Sequence, residues 1–148
     1  KYAELIDTVL LMLRRKPIIF LHWFHHWTVL ATTWAYVYCR FVPGIWFGII
    51  NACVHTLMYH FYYRAACRAR LDYPKLITTV QIVQMVAGLV LTTVWTYLNY
   101  TDSASCAYTD NRFEILLATY GMYGSYLVLF ALFYASRYLN SKGKTNRD

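Results

Sequence analysis

The chain has 148 residues, of which 59% are hydrophobic, 19% aromatic and only 14% charged. A soluble domain carries about 25% charged residues, so the composition is that of a membrane protein and excludes an ordinary soluble enzyme. The formal charge of +7 does not mark a nucleic-acid binder, because the basic residues fall between apolar runs instead of along one face.

A spanning helix needs about 20 apolar residues. The chain opens inside a periodic segment, residues 1–13, whose apolar positions read as the last half of a helix. We therefore expect a fragment whose N-terminal part is absent. Four spans follow, at approximately 17–39, 45–63, 76–98 and 113–136. The second has the weakest hydropathy, since it carries Asn51, His55 and His60. Pro43-Gly44 predicts the turn between the first two spans, and Asp72-Tyr73-Pro74 the turn before the third. The expected fold class is an all-α polytopic membrane bundle, a single domain over residues 1–148.

The basic residues set the orientation. Arg14, Arg15, Lys16, Arg64, Arg68, Arg70, Lys75, Arg137, Lys142, Lys144 and Arg147 fall on one side, and Lys1, Arg40 and Arg112 on the other. Eleven against three makes the first side cytosolic, together with the C-terminus. The loop near 99–112 then faces the lumen, where Asn99-Tyr100-Thr101 forms a glycosylation sequon and Cys106 meets disulfide-permitting conditions.

Polar residues of four helices agree in depth under this orientation. Glu4, Asp7 and Thr8, then His22 to His26, then Asn51 and His55, then Thr78, Gln81 and Gln84 all lie within about a dozen residues of their cytosolic ends, or ~18 Å. Buried polar groups are costly in a bilayer, so the agreement predicts one site.

His22, His25 and His26 share a helix face at i, i+3 and i+4. Imidazoles in this pattern are either metal ligands or catalysts. An HxxHH box occurs in membrane di-iron desaturases and hydroxylases, but five histidines in all, with no second box, are few for a di-iron centre. Asn51 and His55 sit four residues apart, with Tyr59 and Tyr62 continuing the same face. They are suited to donate to an oxyanion or to glue helices together. Cys53 lies on the opposite side of that helix and makes a poor nucleophile partner for His55. Gln81 and Gln84 are bundle amides or substrate donors; Asp7 is placed to fix the tautomer of a histidine. A non-catalytic lipid-binding or transport bundle remains the third class.

Four motifs in order now carry a resemblance. Lys1-Tyr-Ala-Glu4-Leu-Ile-Asp7-Thr8 is similar to KxxExxDT, His22 to His26 to HxxHH, Asn51 to Tyr63 to NxxVHxxMYxxYY, and Thr78 to Gln84 to TxxQxxQ. Together they resemble the ELO family, elongases of very-long-chain fatty acids. The resemblance implies a seven-helix membrane fold enclosing an acyl tunnel, to which this chain supplies part of helix 3 and helices 4–7. It implies an acyltransferase, a 3-oxoacyl-CoA synthase condensing acyl-CoA with malonyl-CoA, with neither metal nor cofactor. His25 would be the acylated histidine, His22 and His26 would position groups and move protons, and His55 with Asn51 would stabilise the enolate. Lys1, Glu4, Asp7, Thr8, Tyr59, Tyr62, Gln81 and Gln84 would contact substrate, with rim Arg and Lys residues on the CoA phosphates. The implied partners are the bilayer, the ketoreductase, dehydratase and enoyl reductase of the elongation cycle, and a second copy in a homo-oligomer. The implied location is the endoplasmic reticulum membrane, with Lys142 and Lys144 near the place of a lysine-based retrieval signal.

Overall fold

The computed structural model describes residues 1–67, 74–101 and 112–139, and every regular element among them is helical. A short 3-10 turn (Tyr2–Glu4) leads into α1 (Leu5–Leu13). Then come α2 (Phe20–Tyr38), α3 (Pro43–Ala66), α4 (Pro74–Thr101) and α5 (Arg112–Tyr134), which runs on as a π-helical turn over Ala135–Leu139. Arg68, Arg70, Asp72, Tyr73, Cys106, Lys142, Lys144 and Arg147 lie outside the described residues.

Helix ends follow local chemistry. α1 stops where Arg15 adopts φ 51°, with Lys16 N–H donating to Leu11 O at 3.0 Å and Arg15 N–H to Met12 O at 2.9 Å. This is a Schellman ending with arginine in the position usually taken by glycine. α2 ends the same way: Arg40 has φ 51°, Phe41 N–H donates to Tyr36 O at 2.9 Å, and Arg40 N–H donates to Val37 O at 3.3 Å. The apolar contact that accompanies such endings is Phe41 against Tyr36, ring centroids 5.0 Å apart.

Two boundaries differ from the sequence reading. α2 begins at Phe20 because Ile19 is extended, two residues after Pro17. Pro43-Gly44 is the first turn of α3 and not the connection before it. Proline suits the first helical position, where its missing N–H costs nothing. Gly44 fits closely there: a Cβ would come within 3.1 Å of the Tyr36 side chain, which would have to give way slightly.

α4 packs on α5 and α3, and α5 packs on α2, whereas α2 and α3 touch little beyond the turn that joins them. The core lies among these four helices and includes Tyr36, Phe47, Met85, Tyr123, Tyr126 and Phe130. Thr92 and Thr119 are fully buried, each hydroxyl returned to the carbonyl four residues earlier, Gly88 at 2.8 Å and Ile115 at 2.6 Å.

By length and apolar content, α4 and the α5 segment Phe113–Leu139 are able to cross a membrane. α2 and α3 fall short of that measure, although four spans were expected from the sequence. Their histidines, Asn51 and interfacial aromatics lower the hydropathy of otherwise apolar helices. Large apolar side chains stand on the outside of the bundle, Trp27, Val83 and Leu132 among them, as a lipid-facing surface requires.

Candidate functional site

α1 bridges the opening between α2 and α3 with its polar side chains. The Lys1 ammonium donates to both Glu4 carboxylate oxygens, at 3.0 and 3.1 Å, and to Asn51 Oδ1 on α3. Glu4 Oε2 stands 3.8 Å from His55 Nε2. One turn later the Tyr59 hydroxyl donates to Asp7 Oδ2 at 2.9 Å. On the other side Thr8 Oγ1 is 2.9 Å from His22 Nε2 on α2. Lys1, Glu4 and Asp7 thus meet α3, and Thr8 meets α2.

The histidines occupy graded depths. His25 and His26 are buried, while His22 is half-buried. The His22 and His26 rings lie 4.4 Å apart and the His25 and His26 rings 5.5 Å apart. Among the described residues, no group of three or more His, Cys, Asp or Glu side chains is arranged to hold a metal ion.

A cavity of about 650 Å³ occupies the cleft between α2 and α3. At one end its wall holds Lys1, Glu4, His25, Asn51 and Gln84. From there it runs between apolar and aromatic side chains, Val29 and Phe47 among them, to the α2–α3 turn at Arg40–Val42. His25 and Arg40 are 15 positions apart on α2 and its end, about 22 Å at 1.5 Å per residue. A long slot with polar groups at one end binds a molecule that has a reactive head and an apolar tail.

The remaining sequence candidates lie around this cavity and do not line it. His22 and His26 stand behind His25, and His55 reaches the polar end through Glu4. Gln81 donates to Met58 Sδ at 3.7 Å. Tyr59 and Tyr62 are exposed on the C-terminal half of α3, at 38% and 53%. Asp7, expected beside a histidine, accepts from Tyr59 instead, and Thr8 is the residue that reaches the box. Cys53 is exposed, away from the cavity. Asn99 stands in the last turns of α4, its amide donating to Trp95 O at 2.8 Å.

One member of the site carried no signal in the sequence. Tyr126 on α5 lines the cavity and places its ring 4.7 Å from that of His25. Among 15 tyrosines in so apolar a chain, nothing in the local pattern separates it from those at the membrane interface.

The chain is 37% identical over 147 residues to "Very long chain fatty acid elongase 4" of Trypanosoma cruzi (strain CL Brener), covering 97% of the chain and 50% of that relative. It is 41% identical over 151 residues to "Very long chain fatty acid elongase 3" of Mus musculus, covering 97% and 52%. It is 38% identical over 154 residues to "Very long chain fatty acid elongase 6" of Drosophila melanogaster, covering 99% and 46%. The chain thus spans about half the length of the curated relatives it matches. No solved structure matches it. The family model described as "ELO: GNS1/SUR4 family" matches residues 1–146, and with its four ordered motifs the chain belongs to that family.

Proposed function

We propose that this chain carries the condensing site of a fatty acid elongase, a 3-oxoacyl-CoA synthase. The observation that carries the reading is the cavity: a buried imidazole, an amide pair and an ammonium at one end of a long apolar slot. An acyl-CoA places its tail in the slot and its thioester carbonyl at His25. A neutral imidazole nitrogen attacks that carbonyl, the C–S bond breaks, and CoA leaves as the thiolate. Malonyl-CoA then loses CO₂, and the resulting enolate carbon attacks the acyl-imidazolium, whose second ring nitrogen has kept its proton. The new C–C bond yields 3-oxoacyl-CoA two carbons longer and frees His25.

The enolate oxygen requires fixed donors. Asn51 and the Lys1 ammonium share the cavity wall with His25 and serve this role, while His55 supports them through Glu4. His26 packs edge-on against His25 and His22 lies against His26; the two move protons, with Thr8 holding His22. Gln84 contacts the thioester from α4, and Asp7, Tyr59, Tyr62 and Gln81 shape the approach. The reaction calls for no metal or cofactor beyond its two CoA substrates.

The charge asymmetry supports a multi-pass protein with a cytosolic C-terminus, and we place it in the endoplasmic reticulum membrane. Its product bears a 3-oxo group and must pass to a ketoreductase, a dehydratase and an enoyl reductase; a second copy in a homo-oligomer completes the proposed assembly.

The test is to incubate the full-length protein with labelled acyl-CoA alone and to seek an acyl adduct on His25 by mass spectrometry, with free CoA released. Condensing activity that persists in His25→Ala overturns the assignment. Stoichiometric iron supports the desaturase class, and acyl-CoA binding without CoA release supports the lipid-carrier class.

A further inference from the structure

Three rings enclose the His25 imidazole. Tyr126 lies 4.7 Å away at 58°, His26 5.5 Å away at 81°, and Phe130 6.2 Å away at 89°. Nδ1 of His25 is buried and has no hydrogen-bond partner among the described residues. In metal sites and hydrolase triads a hydrogen bond at the second ring nitrogen fixes the imidazole. At His25 the described neighbours fix it by aromatic packing.

Tyr126 is also tied to the backbone beneath that side chain. It is 1% exposed, and its hydroxyl donates to the His25 carbonyl at 3.2 Å and lies 2.5 Å from Thr28 Oγ1. The Thr28 hydroxyl also reaches Phe24 O at 2.6 Å, and either hydroxyl can donate between Thr28 and Tyr126. Further along the same interface Tyr36 donates to Thr119 Oγ1 at 3.0 Å. The two hydroxyl pairs are separated by matching lengths of antiparallel helix, Thr28 to Tyr36 and Thr119 to Tyr126, about 10–12 Å each. They set the register of α5 on α2 and thereby bring Tyr126 and Phe130 to His25.

We propose that Tyr126, backed by Phe130, is the positioning residue for His25. The proposal rests on the reading of His25 as the acyl acceptor. The phenol proton is committed to α2, so Tyr126 acts through geometry: its ring holds the imidazole at the attack angle and makes no hydrogen bond to Nδ1. Misplacing a reacting group by about 1 Å costs on the order of 10²-fold in rate.

The experiment uses the full-length protein in membranes and measures CoA release from acyl-CoA without malonyl-CoA, with the His25 adduct read by mass spectrometry. Acyl-CoA binding is measured in parallel, so that rates are expressed per folded site. Tyr126→Phe keeps the ring and is expected to stay within about tenfold of the parent. Tyr126→Leu removes it and is expected to lose about 10²-fold in the single-turnover rate constant, with the half-saturating acyl-CoA concentration within about threefold. Phe130→Leu, which loosens the same ring from behind, is expected to lose about tenfold. An unchanged rate per site in Tyr126→Leu or Phe130→Leu, or a Tyr126→Phe loss as large as that of Tyr126→Leu, overturns the proposal. A parent protein that condenses its substrates with no adduct on His25 overturns the acyl-histidine reading instead, so the two failures are distinct.

Discussion

The Tyr59 hydroxyl donates to Asp7 Oδ2 at 2.9 Å, joining α1 to α3 across 52 residues of sequence. Hydrogen bonds to a charged acceptor are among the stronger ones, but Tyr59 is 38% exposed and water competes for both groups. A double-mutant cycle with Asp7→Asn and Tyr59→Phe should give a coupling of about 1 kcal/mol in thermal unfolding in detergent. Additive single effects would show that the pair does not hold α1.

Lys1 and Glu4 pair in a wall that is mostly shut off from water, with side-chain exposures of 16% and 13%. Removing one partner strands a charge, so Lys1→Met or Glu4→Gln alone should cost about 2 kcal/mol of stability. The double replacement Lys1→Met with Glu4→Met should recover stability but not condensing activity, because the ammonium at the cavity wall is gone. Thermal melts and product assays on the three variants separate the two effects.

Thr8 and His22 sit 2.9 Å apart, and the His22 and His26 rings lie 4.4 Å apart, tilted by 51°. Thr8→Val should lower acyl transfer by about tenfold, by leaving the imidazole without its partner. His22→Ala should lower it by about 10²-fold, as loss of a proton-transfer group does. Single-turnover CoA release is the readout, and equal rates in all three proteins would remove His22 from the mechanism.

Gly88 lets α4 meet the Tyr123 ring: an added Cβ would come within 2.3 Å of Tyr123 Cε1. Gly88→Ala should therefore destabilise the bundle by about 2 kcal/mol through overpacking. Tyr123→Phe keeps the offending ring and should not relieve the clash, whereas Tyr123→Leu should. Melting of the double variants decides between them.

The sequence showed the polar end of the cavity more clearly than its walls. Lys1, Glu4, His25, Asn51 and Gln84 stand out because ionisable and amide groups are rare within apolar runs, and their agreement in depth follows from the helix rise alone. Pairings between helices were harder to read. Asp7 and Thr8 are adjacent, and only the docked position of α1 decides that Asp7 meets Tyr59 while Thr8 meets His22. Tyr126 and Phe130 are unremarkable aromatics until α5 is set against α2. The left-handed Arg15 and Arg40 were equally hidden, since arginine stands where glycine usually marks such an ending.

α1 has no buried residue, and polar side chains moor it to α2 and α3. A segment so moored sits at the low end of local stability. Its amides should therefore exchange with solvent deuterium sooner than those of α4 and α5. Each opening of α1 also withdraws the Lys1 ammonium from Asn51 and the Thr8 hydroxyl from His22, so the cavity loses part of its polar end before the bundle loses its shape. A bound CoA thioester that engages these groups stabilises the closed form by mass action. Slowed exchange in residues 5–13 would then report an occupied site.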